Sequence, residues 1–177
     1  VLNRVPFVNR LGVIGSPTLK VSEKQILSQL ERSLPIRKQY LYIFDLSIDH
    51  PRLDIHAVND RFTLGFDIKI HLSDARAKVF HGAVDLLMGV GFDSEKGIVF
   101  LTDPQVRDIR VKGLPDSIVQ MVTTVLNDVF LTNLDRLSVY RFEQKSRRQR
   151  ALKSVLKGIR LGESELILEL GYRGATA

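Results

Sequence analysis

The sequence predicts an α+β fold: a long, curved antiparallel β-sheet wrapped around a long α-helix, with additional shorter helices. Three observations carry that expectation. Residues 39–112 hold four long strand patterns joined by short turns. One long amphipathic helix pattern follows, from about Asp116 to Ser138. The two kinds of element also match in reach. Twelve strand residues at about 3.3 Å each span roughly 40 Å, and 22 or so helical residues at about 1.5 Å span roughly 33 Å. A rod of that length fits the groove of a curled sheet.

In chain order, residues 1–18 carry prolines and glycines without a sustained period and read as an irregular lead-in. "TLKV" is a short strand. "SEKQILSQLERSL" reads as a helix, with Ser22 as N-cap and Gln25 three residues on, the spacing of a capping box. Ile26, Leu27, Leu30 and Leu34 form its apolar stripe, and Pro35 ends it.

The first long strand pattern runs through Tyr40, Tyr42, Phe44, Leu46 and Ile48. Near His50 and Pro51 the phase slips, as a bulge would produce, and Leu53, Ile55 and Ala57 continue it. "RFTLGFDIKIHL" then alternates without a fault, with Phe62, Leu64, Phe66, Ile68, Ile70 and Leu72 on one face. The third pattern places Phe80, Val84, Leu86, Met88, Val90 and Phe92 together. "DSEKG" closes a hairpin, with Gly97 suited to a positive φ. "IVFLTDPQVRDIRV" is the fourth, with a second slip at Pro104. Short turns between consecutive strands imply an antiparallel meander, apolar on one face and wet on the other. After the long helix come a brief extended link, "VYRF", a basic helix over about Ser146 to Lys157, and a last strand, "SELILELG". Residues 19–171 are thus one domain, and 172–177 a tail.

A chain of 177 residues, 44% hydrophobic and 26% charged, is ordinary for a globular domain. Its net charge of +6 favours anionic partners. Cysteine is absent, which excludes a disulfide framework, a thiolate nucleophile and a thiolate metal site within these residues. The chain opens at Val1, from which an upstream segment is expected; no signal peptide is visible within it.

Catalytic patterns are missing. There is no phosphate-binding glycine loop, no G-x-S-x-G and no H-E-x-x-H. His71 and His81 fall on the polar phase of neighbouring strands, near Asp67 and Asp85, but a metal needs three converging ligands. These residues read as a solvated face. No catalytic residue, metal or cofactor is assigned, and an enzyme ranks last.

The most specific polar feature is "KSRRQRALKSVLKGIR". Lys145, Arg147, Arg148, Arg150, Lys153, Lys157 and Arg160 are its seven cations, with no acid between Glu143 and Glu163. At about 1 kcal/mol per cation near an anionic lipid surface, half of them supply roughly 3–4 kcal/mol, enough to orient but not to anchor. A solvated charged helix face is the first reading of this segment, contact with an anionic lipid surface the second, and nucleic acid phosphates the third. Tyr140 and Phe142 flank Arg141, as base-stacking rings would, yet their alternation fits an edge strand better.

Several phrases in order carry a resemblance: "VSEKQILSQLERSLP", "GFDSEKGIVFL", "VRDIRV", the long helix, "VYRF", and "LKSVLKGIRLGESELILEL". On these, over about residues 19–170, the chain resembles the YceB-like family of bacterial lipoproteins. The resemblance implies a TULIP-like (tubular lipid-binding) fold. It also implies a periplasmic protein, often tethered through an acylated cysteine; these residues depart from that pattern in holding none, so the cysteine would either lie upstream of Val1 or be missing altogether. It supplies no catalytic residues.

The function expected is a periplasmic module that binds a lipid or other apolar small molecule without catalysis. Phe66, Ile68, Ile70, Leu86, Met88, Val90 and Phe100 would line one wall. Val122, Val125 and Val129 of the long helix would form the other. The basic segment would touch an anionic membrane surface. A five-strand sheet about 20–24 Å wide can also be mostly covered by two helices about 10 Å across, so a cavity is permitted rather than demanded. The alternative is an envelope structural or protein-interaction module with a closed core.

Overall fold

A computed structural model describes residues 18–58, 61–74, 78–93, 96–141 and 156–170. The elements in order are β1 (Thr18–Ser22), α1 (Glu23–Glu31), β2 (Ile36–Tyr40), β3 (Phe44–Val58), β4 (Arg61–Leu72), β5 (Val79–Asp93), β6 (Ile98–Val111), α2 (Asp116–Leu134), β7 (Ser138–Arg141), β8 (Leu156–Leu161) and β9 (Glu165–Leu170). The α+β class holds, and the curled antiparallel sheet has six strands in sequence order, β2 to β7.

Alternation explains the long strands. The even residues of β4, Phe62 to Ile70, are all buried, and they pair across to Met88, Leu86, Val84, Gly82 and Phe80 of β5. These cross-strand pairs make one apolar face. Both phase slips are real irregularities. His50 has a φ of 50° beside the register shift between Asp49 and Arg52. Asp103 has a φ of 49° next to Pro104, near the shift between Leu87 and Gly89. Gly97 takes the expected positive φ, 64°, where its N–H donates to the Asp93 carbonyl at 2.8 Å.

The curl shows in what α1 touches. It packs against β3, second from one edge of the sheet, and also against β7, the strand at the other edge. Both ends of the sheet therefore bend toward one short helix. Ser22 caps α1 as the sequence predicts: its hydroxyl accepts from the Gln25 N–H, and the Gln25 side chain accepts from the Ser22 N–H at 2.8 Å. The helix start is tied to a second sheet, because the Glu23 N–H donates to the Ser164 carbonyl at 3.1 Å. That sheet has the order β1-β9-β8, joining the two ends of the described chain.

Helix α2 lies on the concave side against β6. Val122, Val125, Leu126, Val129, Phe130 and Leu134 are buried, while Gln120, Thr124, Asn127 and Asp128 face solvent. This is the one-sided stripe of an amphipathic helix.

Four expectations need correction. The first strand pattern is not continuous, because Leu41, Tyr42 and Ile43 form a turn between β2 and β3, with positive φ at Leu41 and Tyr42. The sheet accordingly has six strands, not five, and Ser138–Arg141 supply the sixth by pairing with β6. The long helix stops at Leu134 rather than Ser138. The basic helix does not reach Lys157, since residues 156–161 are strand β8. The lead-in up to residue 17, the tail 172–177, Phe142 and the segment 142–155 lie outside the described residues.

Candidate functional site

The interior between sheet and α2 is the candidate site. Its first wall comes from β4 and β5, whose parity aims Phe66, Ile68, Ile70, Leu86, Met88 and Val90 at the concave side; all are 0–5% exposed. Across from them Val122, Val125 and Val129 are 0–4% exposed. Phe66 and Phe130 bridge the walls as a stacked pair. Among the described residues no polar or charged side chain is buried. An interior of this kind offers hydrocarbon surface and no directional partner.

Phe100 is not on that wall. It pairs with Gly91, on the odd and therefore outer phase of β5, whereas its neighbours Val99 and Leu101 pair with Phe92 and Val90. Its ring lies over Gly91: a Cβ built there would meet Cε2 and Cζ at 2.6 Å. A glycine left bare in a strand and covered by a cross-strand ring is a recurrent way of filling a sheet surface.

Hydrogen bonds tie α2 and the residues just after it to the irregular part of β6. The Asp103 N–H donates to an Asp135 carboxylate oxygen at 3.1 Å, and the Val106 N–H to Asn127 Oδ1 at 3.4 Å. Arg136 and Leu101 exchange a further bond, N–H to carbonyl, at 2.8 Å. The bend at Pro104 thus frees backbone donors, and the side chains of Asn127 on α2 and Asp135 just after it accept from them.

The outer face is polar. Arg110 donates to both Asp85 oxygens, at 2.7 and 3.0 Å, and to Asp108. The Arg110 hydrogen bonds hold the Asp85 carboxyl below its usual range, against the opposing effect of burial, and they raise the guanidinium of Arg110. Arg52 bonds Asp67, and His71 Nδ1 lies 3.7 Å from an Asp45 oxygen. Among the described residues no three His, Cys, Asp or Glu side chains gather as a metal site.

Of the seven cations expected to touch an anionic surface, Lys145, Arg147, Arg148, Arg150 and Lys153 lie outside the described residues. Lys157 is exposed on β8. Arg160 Nε sits 2.6 Å from Glu169 Oε1 on β9, so its charge is already matched.

Residues 21–164 match the model of a family described as a protein of unknown function, DUF1439. The chain belongs to that family. No curated protein matches this DUF1439 chain. Among solved structures it is similar to a crystal structure of lipopolysaccharide binding protein, at 11% identity and a TM-score of 0.34. That alignment covers 97% of the DUF1439 chain and 47% of the other, so the chain spans about half the length of this neighbour.

Sequence reading missed one feature of the DUF1439 chain. Leu41, Tyr42 and Ile43 stand out from the sheet at 70%, 83% and 36% exposure, with Val79 nearby at 43%. The available signal was "YLYIF", five apolar residues without alternation. Beside them, on the outer face, lies an open depression of about 620 Å³ lined by Arg37, Lys38, Gln39, Asp45, Leu46, Ser47, Lys69, His71 and Val79.

Proposed function

We propose that this chain is a periplasmic, non-enzymatic module that holds a lipid or another apolar molecule between its concave sheet and α2. The observation that carries the reading is the chemistry of the interior. Both walls are hydrocarbon and thioether, with no buried polar group among the described residues. Such a space selects for hydrocarbon, at about 0.8 kcal/mol per buried methylene. The wall residues are already covered, so uptake requires a helix to move. Helix α1 is the smaller body, nine residues long, and it bridges the two ends of the curl. The YceB-like resemblance supports the periplasmic location. The cations from Lys145 to Lys157 would then meet anionic headgroups.

Native mass spectrometry of gently purified protein, with lipid extraction, tests the reading. Bound lipid, or uptake of a fluorescent fatty acid by apo protein, is the expected result. Clean apo protein that also refuses the fatty acid would overturn it.

The second reading is an envelope interaction module with a closed core. The tight burial of every wall residue on the concave side favours it. Recovery of a protein partner from envelope extracts, without lipid, would be its signature.

A further inference from the structure

We propose that the β2–β3 hairpin tip is an interfacial anchor that inserts Leu41, Tyr42 and Ile43 into the surface of an anionic lipid bilayer. The inference stands apart from the carrier reading, because it concerns the outside of one end of the sheet and not the interior.

Two independent observations meet at this tip. The first is chemical. Four of the five large hydrophobic side chains most exposed among the described residues are Leu41, Tyr42, Ile43 and Val79. They gather at one end, since the Ser73 N–H donates to the Ile43 carbonyl at 2.9 Å and the Leu72 N–H to the Lys78 carbonyl at 2.9 Å. The second is conformational. Leu41 and Tyr42 have φ of 44° and 58°, and the Ile43 N–H closes the turn on the Tyr40 carbonyl at 2.8 Å. Left-handed backbone disfavours residues with a Cβ, and a turn with two such positions normally holds Asn-Gly. Here the sequence places a leucine and a tyrosine where neither backbone preference nor burial asks for them. The base beneath is firm: Tyr40 and Phe44 pack ring to ring at 5.4 Å.

The surroundings select the occupant. Arg37, Lys38, Lys69 and Lys78 are exposed around the tip, and none has an ion-pair partner among the described residues. The described acids at this end are Asp45 and Asp74. The excess is positive, which complements anionic headgroups. Tyrosine suits the interfacial layer, with its ring in the acyl boundary and its hydroxyl in water. A projecting tip of three side chains is also too small for a stable protein interface, which needs roughly 1,000 Å². It is adequate for insertion by about 5–10 Å into a bilayer surface.

The chain contains no tryptophan, so Tyr42→Trp introduces a unique probe. Full-length protein carrying it is mixed with vesicles of phosphatidylglycerol and phosphatidylcholine, and with phosphatidylcholine alone. The proposal expects an emission blue shift and quenching by brominated acyl chains on the anionic vesicles, weaker by about tenfold in partition on the neutral ones. Replacing the turn by Leu41→Asn with Tyr42→Gly is expected to raise the melting temperature while lowering vesicle partition at least about tenfold, the equivalent of burying one large apolar side chain. Lys69→Glu with Arg37→Glu should lower partition on anionic vesicles alone. Vesicle binding without quenching at position 42 would overturn the proposal, as would absence of binding. A blue shift that grows with protein concentration without vesicles would assign the tip to a second copy and also overturn it.

Discussion

The rings of Phe66 on β4 and Phe130 on α2 stack with centroids 5.3 Å apart and planes 28° from parallel. Both are fully buried. The pair joins the sheet to the helix at the middle of the candidate site, so it reports on both packing and opening. Phe130→Ala is expected to lower stability by about 3–5 kcal/mol, the transfer loss plus a cavity. In a double-mutant cycle with Phe66→Ala the coupling should be about 0.5–1.5 kcal/mol. Urea unfolding of the four proteins measures both. Coupling near zero would show that the two rings do not act as one contact.

Two glycines of β5 should respond differently to a methyl group. At Gly82 a Cβ would run into the Arg110 carbonyl oxygen and lie 2.5 Å from Val111 Cγ2. The first obstacle is backbone, and it can yield only if β5 and β6 move apart. At Gly91 the nearest atoms are the far edge of the Phe100 ring, which can swing away. Gly82→Ala is expected to cost about 1–3 kcal/mol or more, as overpacking does. Gly91→Ala should cost less, because alanine also offsets part of the loss by restricting the unfolded chain. Thermal melts of the two variants give the order, and a reversed order would show that β6 is free to shift beneath Gly82.

Much of this architecture was legible because alternation is informative only where one face is apolar and the other polar. β4 met that condition at every position, and its burial follows the sequence through Phe62, Leu64, Phe66, Ile68 and Ile70. The capping box at Ser22 and Gln25 was equally local and equally readable. Parity failed at Ile98–Leu101, where four apolar residues in a row fit either phase; only pairing with Gly91 decides the face of Phe100. It failed again at "YLYIF", where an exposed apolar turn imitates a buried strand. The pairing of Thr18 with Glu169 is invisible to any local pattern, because it joins residues from opposite ends of the chain. β8 was obscured by its cations, since Lys157 and Arg160 project from a strand as readily as from a helix.

The Arg110–Asp85 contact gives a pH dependence with a definite sign. Arg110 lowers the Asp85 pKa from the ordinary value of 3.8 in the folded protein. The unfolded chain then binds a proton at a pH where the native one does not. The contribution is therefore present above about pH 4, and it is lost as pH falls through the lowered folded value. Arg110→Gln should cost about 1 kcal/mol at neutral pH, because the pair is partly exposed and screened. The difference between wild type and variant should shrink as pH drops below 3.8. Urea midpoints at pH 7, 4 and 2.5, compared between the two proteins, test the trend; a constant difference would remove Asp85 as its source.

Helix α1 offers a way to separate the carrier from the closed core. It touches β3 and β7, so loosening it loosens the place where the ends of the sheet approach each other. Ser22→Ala deletes the side-chain acceptor for the Gln25 N–H without touching the interior, since Ser22 itself is exposed. Loss of an N-cap typically costs about 1 kcal/mol, and it acts on the first turn of the helix. Hydrogen exchange should therefore rise across residues 23–31 while β4 and β5 keep their protection. If hydrocarbon enters past α1, the same variant should take up a fluorescent fatty acid several-fold faster at unchanged final occupancy, because a mobile gate alters the rate and not the walls. Faster exchange in α1 with unchanged uptake kinetics would place the entrance elsewhere, and faster exchange with no uptake in either protein would favour the closed core.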